Sequence, residues 1–241
     1  MKLHKVIAKA LGYELIKRSK HPTSSSHLAN LIKHHDIDIV LDVGANNGQF
    51  GLMLRNEGYK GEIHSFEPVS KTFENLNHAC LNDQKWFSNK LAMGSTTGEE
   101  TVHITESSDL SSFLNPNDFG KEKYEKIKVS QTEKVKVNTI SDYLATKIPA
   151  FKERNILLKM DTQGYDLKVF EGALNVLDHI DCILSEISFI PIYSEMPHYL
   201  DSLKIYEENG FVVTGMYPIS RKSDLSVIEM DCFMINSKNC T

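Results

Sequence analysis

Four carboxylates stand where they could do chemistry: Asp42, Glu67, Asp161 and Glu186. Asp42 sits in the stretch 38–51, D-I-V-L-D-V-G-A-N-N-G-Q-F-G, two residues before Gly44. Asp161 ends the apolar run Ile156, Leu157, Leu158 and Met160, and Gly164 follows it. Glu186 falls near the end of the next apolar run, Cys182, Ile183, Leu184 and Ile187. Two carboxylates at adjacent strand ends can orient a hydroxyl or accept its proton, which makes Asp161 and Glu186 the candidate catalytic pair. Glu67, in F-E-P, stands 23 residues past Gly44. At that spacing a carboxylate can accept hydrogen bonds from both ribose hydroxyls of a nucleoside. The plainer role for an acid before Pro68 is a charge at a helix N-terminus.

The glycine pattern decides between ligands. A dinucleotide fingerprint reads G-x-G-x-x-G, its second glycine letting the backbone approach a pyrophosphate. Here Asn46 holds that position and the pattern is G-x-x-x-G, Gly44 to Gly48. Asn tolerates left-handed backbone angles, so the turn is feasible, but its side chain would crowd a pyrophosphate. A ligand without phosphates fits better, which favours S-adenosylmethionine cradled by Gly44, Ala45, Asn46, Asn47 and Gly48. A tight turn with no ligand is the bland alternative.

These residues need elements to hold them. Ile39, Val40, Leu41 and Val43 form a β-branched run typical of a buried parallel strand, and Phe50, Met53 and Leu54 then fall at helical spacing. Strand, glycine turn and helix in that order put backbone N–H groups beside the strand's carboxyl end, where open α/β sheets bind ligands. Ile63 and Phe66 mark a second strand closed by Pro68, and Phe73, Leu76 and Cys80 the helix after it. A third strand is predicted from Trp86 to Met93, its small residues, Ala92 foremost, leaving room for an adenine ring. Thr101–Thr105 reads as an extra strand. After Asp161, Leu167, Phe170, Leu174 and Leu177 share one helix face, repeating the strand–acid–glycine–helix order of Asp42.

Residues 107–120 are polar with Pro and Gly breakers, a long loop that reads equally as a lid and as a surface connection. Acceptor contacts are expected from loops 106–122 and 188–200, with Ser112, Gln163 and Tyr193 as candidates. Pro191, Tyr193 and Pro197 could give an aromatic platform for a sugar ring, or simply a rigid connection.

Length and composition set outer bounds. A chain of 241 residues, 41% hydrophobic and 24% charged, can build one large α/β domain. Its four cysteines (Cys80, Cys182, Cys232 and Cys240) show no C-x-x-C spacing, and nothing resembles a secretory signal, so reduced thiols in the cytoplasm are expected. No apolar run approaches the ~18 residues that span a bilayer. The ten histidines show no metal-site spacing, and no metal is predicted.

The first twenty residues differ from the rest. Lys2, Lys5, Lys9, Lys17, Arg18 and Lys20 oppose only Glu14, a formal +5 that leaves −10 on the remainder of a chain of net −5. Leu3, Val6, Ile7, Ala10, Leu11 and Leu15 fall at helical spacing, so residues 1–20 read as a basic amphipathic helix. Packing on the core with a solvated basic face is expected; docking on an anionic membrane surface, which would place the protein at the inner face of the membrane, or on a partner, is the alternative. Residues 21–36 read as a linker and a helix, His27–His35, with His27 expected at the surface. The domain proper then runs 37–241.

Taken together, L-D-V-G-A-N-N-G-Q-F, F-E-P, L-K-M-D-T-Q-G-Y, S-E-I-S-F, G-F-V-V-T-G and E-M-D-C-F-M-I, spread over residues 37–235, resemble the FkbM-type S-adenosylmethionine-dependent methyltransferases. The resemblance implies a Rossmann-like class I methyltransferase fold, an α/β architecture with a seven-stranded mostly parallel sheet, an antiparallel last strand and helices on both faces. It implies O-methylation of a sugar, glycolipid or secondary metabolite. By position, Asp42, Gly44, Asn46 and Gly48 would hold the methionine portion, Glu67 the ribose, with Pro68 and Ala92 nearby and Asp161 in the crevice. Gln163 departs from the family's common glutamate, which moves any general-base role to Asp161 or Glu186. A catalytically silent binding protein of the same fold and a nicotinamide oxidoreductase are the competing expectations. A small-molecule or glycan acceptor is expected, and no nucleic acid.

Overall fold

Ten strands follow one another as β1 (Ile39–Val43), β2 (Glu62–Phe66), β3 (Trp86–Asn89), β4 (Ala92–Met93), β5 (Gly98–Thr105), β6 (Val129–Asn138), β7 (Ile156–Met160), β8 (Cys182–Ser188), β9 (Phe211–Arg221) and β10 (Val227–Asn236) in a computed structural model that describes residues 3–13, 15 and 22–239. The helices are α1 (Leu3–Ala10), α2 (Ser24–His34), α3 (Gln49–Asn56), α4 (Ser70–Cys80), α5 (Asp118–Lys123), α6 (Ile140–Lys147), α7 (Asp166–Glu171) and α8 (Tyr199–Glu208).

Seven strands make one sheet in the order β3-β2-β1-β7-β8-β10-β9. Every pairing from β3 to β8 is parallel, while β10 runs antiparallel to both β8 and β9. The chain moves outward one way from β1 through β2 to β3, then returns to pair β7 on the other side. That reversal opens a crevice at the carboxyl ends of β1 and β7.

The two faces of the sheet are covered by different helices, and the alternation of strand side chains explains why. Ile39, Leu41, Ile156, Leu158 and Ile183 pack with side chains of α6, α7 and α8, such as Leu144, Phe170 and Tyr206. Val40, Leu157, Cys182 and Leu184 point the other way, onto Leu28 and Leu31 of α2, Leu54 of α3 and Leu76 of α4. Burying each such side chain contributes about 1.5–3 kcal/mol. Because β1 and β7 are buried on both faces, every residue in them should be apolar. Asp42 and Lys159 break that rule, and the register sets them side by side.

The observed strands depart from expectation at the third. The run 86–93 is split at Lys90 and Leu91: β3 extends the main sheet, whereas β4 pairs β6 in a small second sheet of order β4-β6-β5. β6 has no forerunner in the sequence reading, since its exposed half is polar and only Val135 and Val137 are buried. Helix α2 starts earlier than expected, at Ser24, because the Thr23 hydroxyl oxygen accepts the Ser26 N–H at 3.3 Å as an N-cap.

Helix α1 gives the clearest surprise. It covers Leu3–Ala10 rather than the whole basic segment, and Glu14, Lys17, Arg18 and Lys20 lie outside the described residues, as does Cys240. Its apolar stripe is not packed on the core: Leu3, Val6 and Ile7 are exposed, and among the described side chains of the helix only Ala8 is buried. Among the described residues no helix is long and apolar enough to cross a membrane.

Candidate functional site

A cavity of about 510 Å³ opens at the carboxyl ends of β1, β2, β7 and β8, within the range of small-molecule sites. Gly44, Asn46, Glu67, Pro68 and Ala92 line it together with Asp161, Gln163, Glu186 and Ser112. The sequence-predicted residues thus meet in one place, with instructive exceptions.

Asp42 is one. Its carboxylate is fully buried beneath the turn rather than in the cavity: Ser65 Oγ donates to it at 2.8 Å, and Lys159 Nζ lies 3.1 Å away. Trp86 Nε1 donates to Ser65 Oγ in turn, at 2.9 Å. Lys159 also donates to the Gly44 carbonyl at 3.0 Å and lies 3.4 Å from Asp161. Burial alone would push the Lys159 ammonium down, yet Asp42 and Asp161 more than offset this and hold it well above the ordinary lysine range. Asp42 therefore does not line the cavity and meets the turn through Lys159, a buried cation that the sequence pattern does not single out.

The glycines need correcting too. Gly44 has φ +75°, and a Cβ there would sit 1.9 Å from the Asp161 carbonyl oxygen, so close approach of the turn to β7 demands it. Gly48 caps α3 at φ +88° against Trp86 and does not line the cavity, nor do Ala45 and Asn47. Asn46 takes the left-handed angle expected of it, φ +48°. Its N–H donates to Glu67 Oε2 at 3.1 Å, and its Oδ1 accepts from Ser108 at 3.0 Å, which ties the 107–112 segment across the crevice mouth. His27, half-buried rather than at the surface, packs beside Tyr217 and Phe233, with Nε2 2.9 Å from Thr214 Oγ1.

Glu67 also accepts the Val69 N–H on Oε1 at 2.8 Å. Glu67 thus accepts backbone N–H groups from the turn and from the start of α4, and its carboxylate lines the cavity. Burial raises its pKa to about 7, against the lowering pull of the two N–H donors.

Gln163 stands between two acids, its Nε2 3.4 Å from Asp161 Oδ1 and 3.2 Å from Glu186 Oε2. A glutamate here would add a third negative charge to this group. The amide instead donates to both carboxylates, which accounts for the departure at this position. Tyr193 does not line the cavity; its hydroxyl lies 3.0 Å from Gln163 Oε1 and 2.8 Å from the Leu110 carbonyl oxygen, so it orients the amide. Ser112 donates to the Gln163 carbonyl at 2.7 Å and helps hold that residue at φ +54°. Glu186 is pushed well above the carboxylate range, first by burial and then by the nearby charges of Asp161 and Glu229.

Glu229 and Asp231 also line the cavity, and no role was expected of them. They precede the apolar stretch of β10 at alternate positions, and Asp231 pairs directly with Glu186 across to β8. Two polar residues spaced by two at the start of an otherwise buried strand were the signal available. Burial raises both carboxyls. No Lys, Arg or His lines the cavity among the described residues; its ionisable lining groups are carboxyls and the Tyr124 hydroxyl. Nor do three or more His, Cys, Asp or Glu side chains among those residues gather closely enough to hold a metal ion.

A glycine-turned first strand, an acid-tipped second strand, a switch-point crevice and one reversed strand beyond it define the class I methyltransferase fold. The chain belongs to the FkbM methyltransferase domain family, whose pattern matches residues 42–213, and its cofactor is S-adenosylmethionine. No curated protein matches it. Among solved structures it is similar to magnesium protoporphyrin IX methyltransferase from Synechocystis PCC 6803 with bound cofactor (10% identity, 91% of this chain and 81% of that one, TM-score 0.47). It is similar also to Aeropyrum pernix fibrillarin with natively bound S-adenosyl-L-methionine (10%, 88% and 73%, TM-score 0.45) and to an rRNA methylase from Streptococcus thermophilus (11%, 92% and 98%, TM-score 0.43).

The residues present fit the cofactor. Each Glu67 oxygen accepts one N–H and keeps a lone pair for a ribose hydroxyl. The acidic lining suits a sulfonium cation, and the small Ala92 and the Met93 beside it leave an apolar slot for a base.

Proposed function

We propose that this protein is a cytoplasmic O-methyltransferase acting on a hydroxyl of a sugar, glycolipid or secondary metabolite, with Glu186 as general base. The carrying observation is the Asp161–Gln163–Glu186 group facing the same cavity as Glu67. S-adenosylmethionine supplies an already activated methyl group. The chain's part is to hold the acceptor oxygen in line with it, worth ~7–11 kcal/mol of barrier, and to take the hydroxyl proton. That proton would pass to a carboxylate oxygen of Glu186. A carboxyl whose pKa is raised is the stronger base once ionised, which favours Glu186 for this step. Asp161 and Gln163 orient the acceptor, and Ser112 and Tyr193 hold Gln163.

The acidic lining argues against phosphate-bearing acceptors. A nucleic-acid backbone would meet Asp109, Glu186 and Glu229 with no cation to receive it. A neutral polyhydroxylated acceptor meets hydrogen-bond acceptors instead.

The test is methyl transfer from labelled S-adenosylmethionine to a panel of neutral glycosides and glycolipids, with ribosomal RNA alongside. Transfer to a glycoside, lowered about 10²–10⁴-fold by Glu186→Gln while S-adenosylhomocysteine still binds, is the expected result. Transfer to RNA alone would overturn the acceptor class. Cofactor binding with no transfer to any acceptor would favour a silent binding protein of the same fold.

A further inference from the structure

Helix α1 carries an apolar stripe that the rest of the protein does not use. Leu3, Val6, Ile7 and Leu11 fall at i, i+3, i+4 and i+8, one face of a helix and the turn that ends it. They are 75, 42, 51 and 68% exposed, and Tyr13 and Leu15 beyond them are 70 and 53% exposed. Among the described side chains of α1 only Ala8 is buried, and Leu3, Val6 and Ile7 are left exposed. None of the buried clusters draws a residue from it. Exposed apolar side chains concentrated on one short element mark a contact surface.

Charge says what the contact is. Lys2, Lys5, Lys9, Lys17, Arg18 and Lys20 against Glu14 give residues 1–20 a formal +5, whereas the remainder carries −10. A strongly acidic body is repelled by an anionic surface, so any attraction to one must come through this segment. A second copy is a poorer occupant. Pairing α1 with α1 would bring two +5 segments together, and the remaining exposed large apolar residues, such as Leu52, Leu81, Val129 and Leu174, come singly from separate elements.

We infer that the N-terminal segment carrying α1 docks on the headgroup region of an anionic bilayer, with Leu3, Val6, Ile7 and Leu11 inserted and its formal positive charge drawn to the lipid phosphates. Basic residues near such a surface attract it additively, and an apolar stripe supplies the insertion that charge alone does not. This inference stands apart from the methyl-transfer reading, which needs no membrane.

The test is co-sedimentation of the full chain with phosphatidylcholine vesicles, with and without phosphatidylglycerol. Partition at least about tenfold stronger onto the anionic vesicles, weakening as salt is raised, is expected. The double variant Leu3→Ser, Ile7→Ser should lose this partition while its melting temperature and S-adenosylhomocysteine binding stay unchanged, since both side chains are exposed. Failure to pellet with anionic vesicles overturns the inference. So does self-association in analytical ultracentrifugation that the same double variant abolishes, since the stripe would then belong to a dimer.

Discussion

The Lys159 ammonium lies 3.1 Å from the Asp42 carboxylate, and the two residues are direct cross-strand partners of β7 and β1. Lys159 is 5% exposed and Asp42 not at all, so this ion pair sits inside the sheet just below the cofactor turn. The ammonium also reaches the Gly44 carbonyl and Asp161. One cation therefore ties the end of β1, the turn and Asp161 together.

Breaking that pair by removing the cation should be costly. Lys159→Met leaves a buried carboxylate without its partner, for which a loss of about 3–5 kcal/mol is expected. The double variant Asp42→Asn, Lys159→Met should recover much of it, because no unpaired charge remains. Urea unfolding of both variants checks this. Equal midpoints for Lys159→Met and the unaltered protein would show that the pair does not support the fold.

Glu67 gives a pH dependence with a definite sign. Its pKa is raised from 4.5 to about 7 in the folded protein. Its contribution to stability is therefore fully present below about 4.5 and is lost as pH rises through about 7. Ligand binding should run the opposite way, since ribose hydroxyls donate to the ionised carboxylate. Calorimetric titration with S-adenosylhomocysteine should show affinity rising about tenfold from about pH 6 to about pH 8, a slope that Glu67→Gln removes. A flat profile in the unaltered protein would separate Glu67 from the ribose.

Two glycines with similar backbone angles should respond unequally to substitution. Gly58 has φ +91° and open space around an added Cβ, so Gly58→Ala should cost only backbone strain, about 1 kcal/mol. Gly44, at φ +75°, would meet the Asp161 carbonyl at 1.9 Å. Gly44→Ala should cost several times more and weaken cofactor binding as well, because the turn must move off β7. Thermal unfolding of the two variants side by side decides it; equal losses would leave strain as the whole effect.

What could be read from the sequence was whatever periodicity and breakers encode locally. The run Ile39–Val43, the break at Gly44 and the acid before Pro68 all announce themselves within a few residues. The direction of the Asp42 side chain does not, because it depends on Lys159, 117 positions later, arriving as its neighbour. Tyr193 looked like a platform for a ring and instead holds an amide, a contact made only when the 190–198 segment folds back over Gln163. Helix α1 shows the same limit from the other side. Its amphipathic pattern is plain, but pattern alone does not say whether the apolar face turns in or out.

Because β10 runs backwards, its beginning rather than its end meets the crevice, and the β9–β10 hairpin brings Ile219, Ser220, Glu229 and Asp231 to one wall. The opposite wall is made by the turns after β1 and β2 and by β4. The two walls thus come from opposite halves of the sequence. A lineage could rewrite the hairpin while leaving the glycine turn untouched, so the two walls of the crevice can change independently in this architecture.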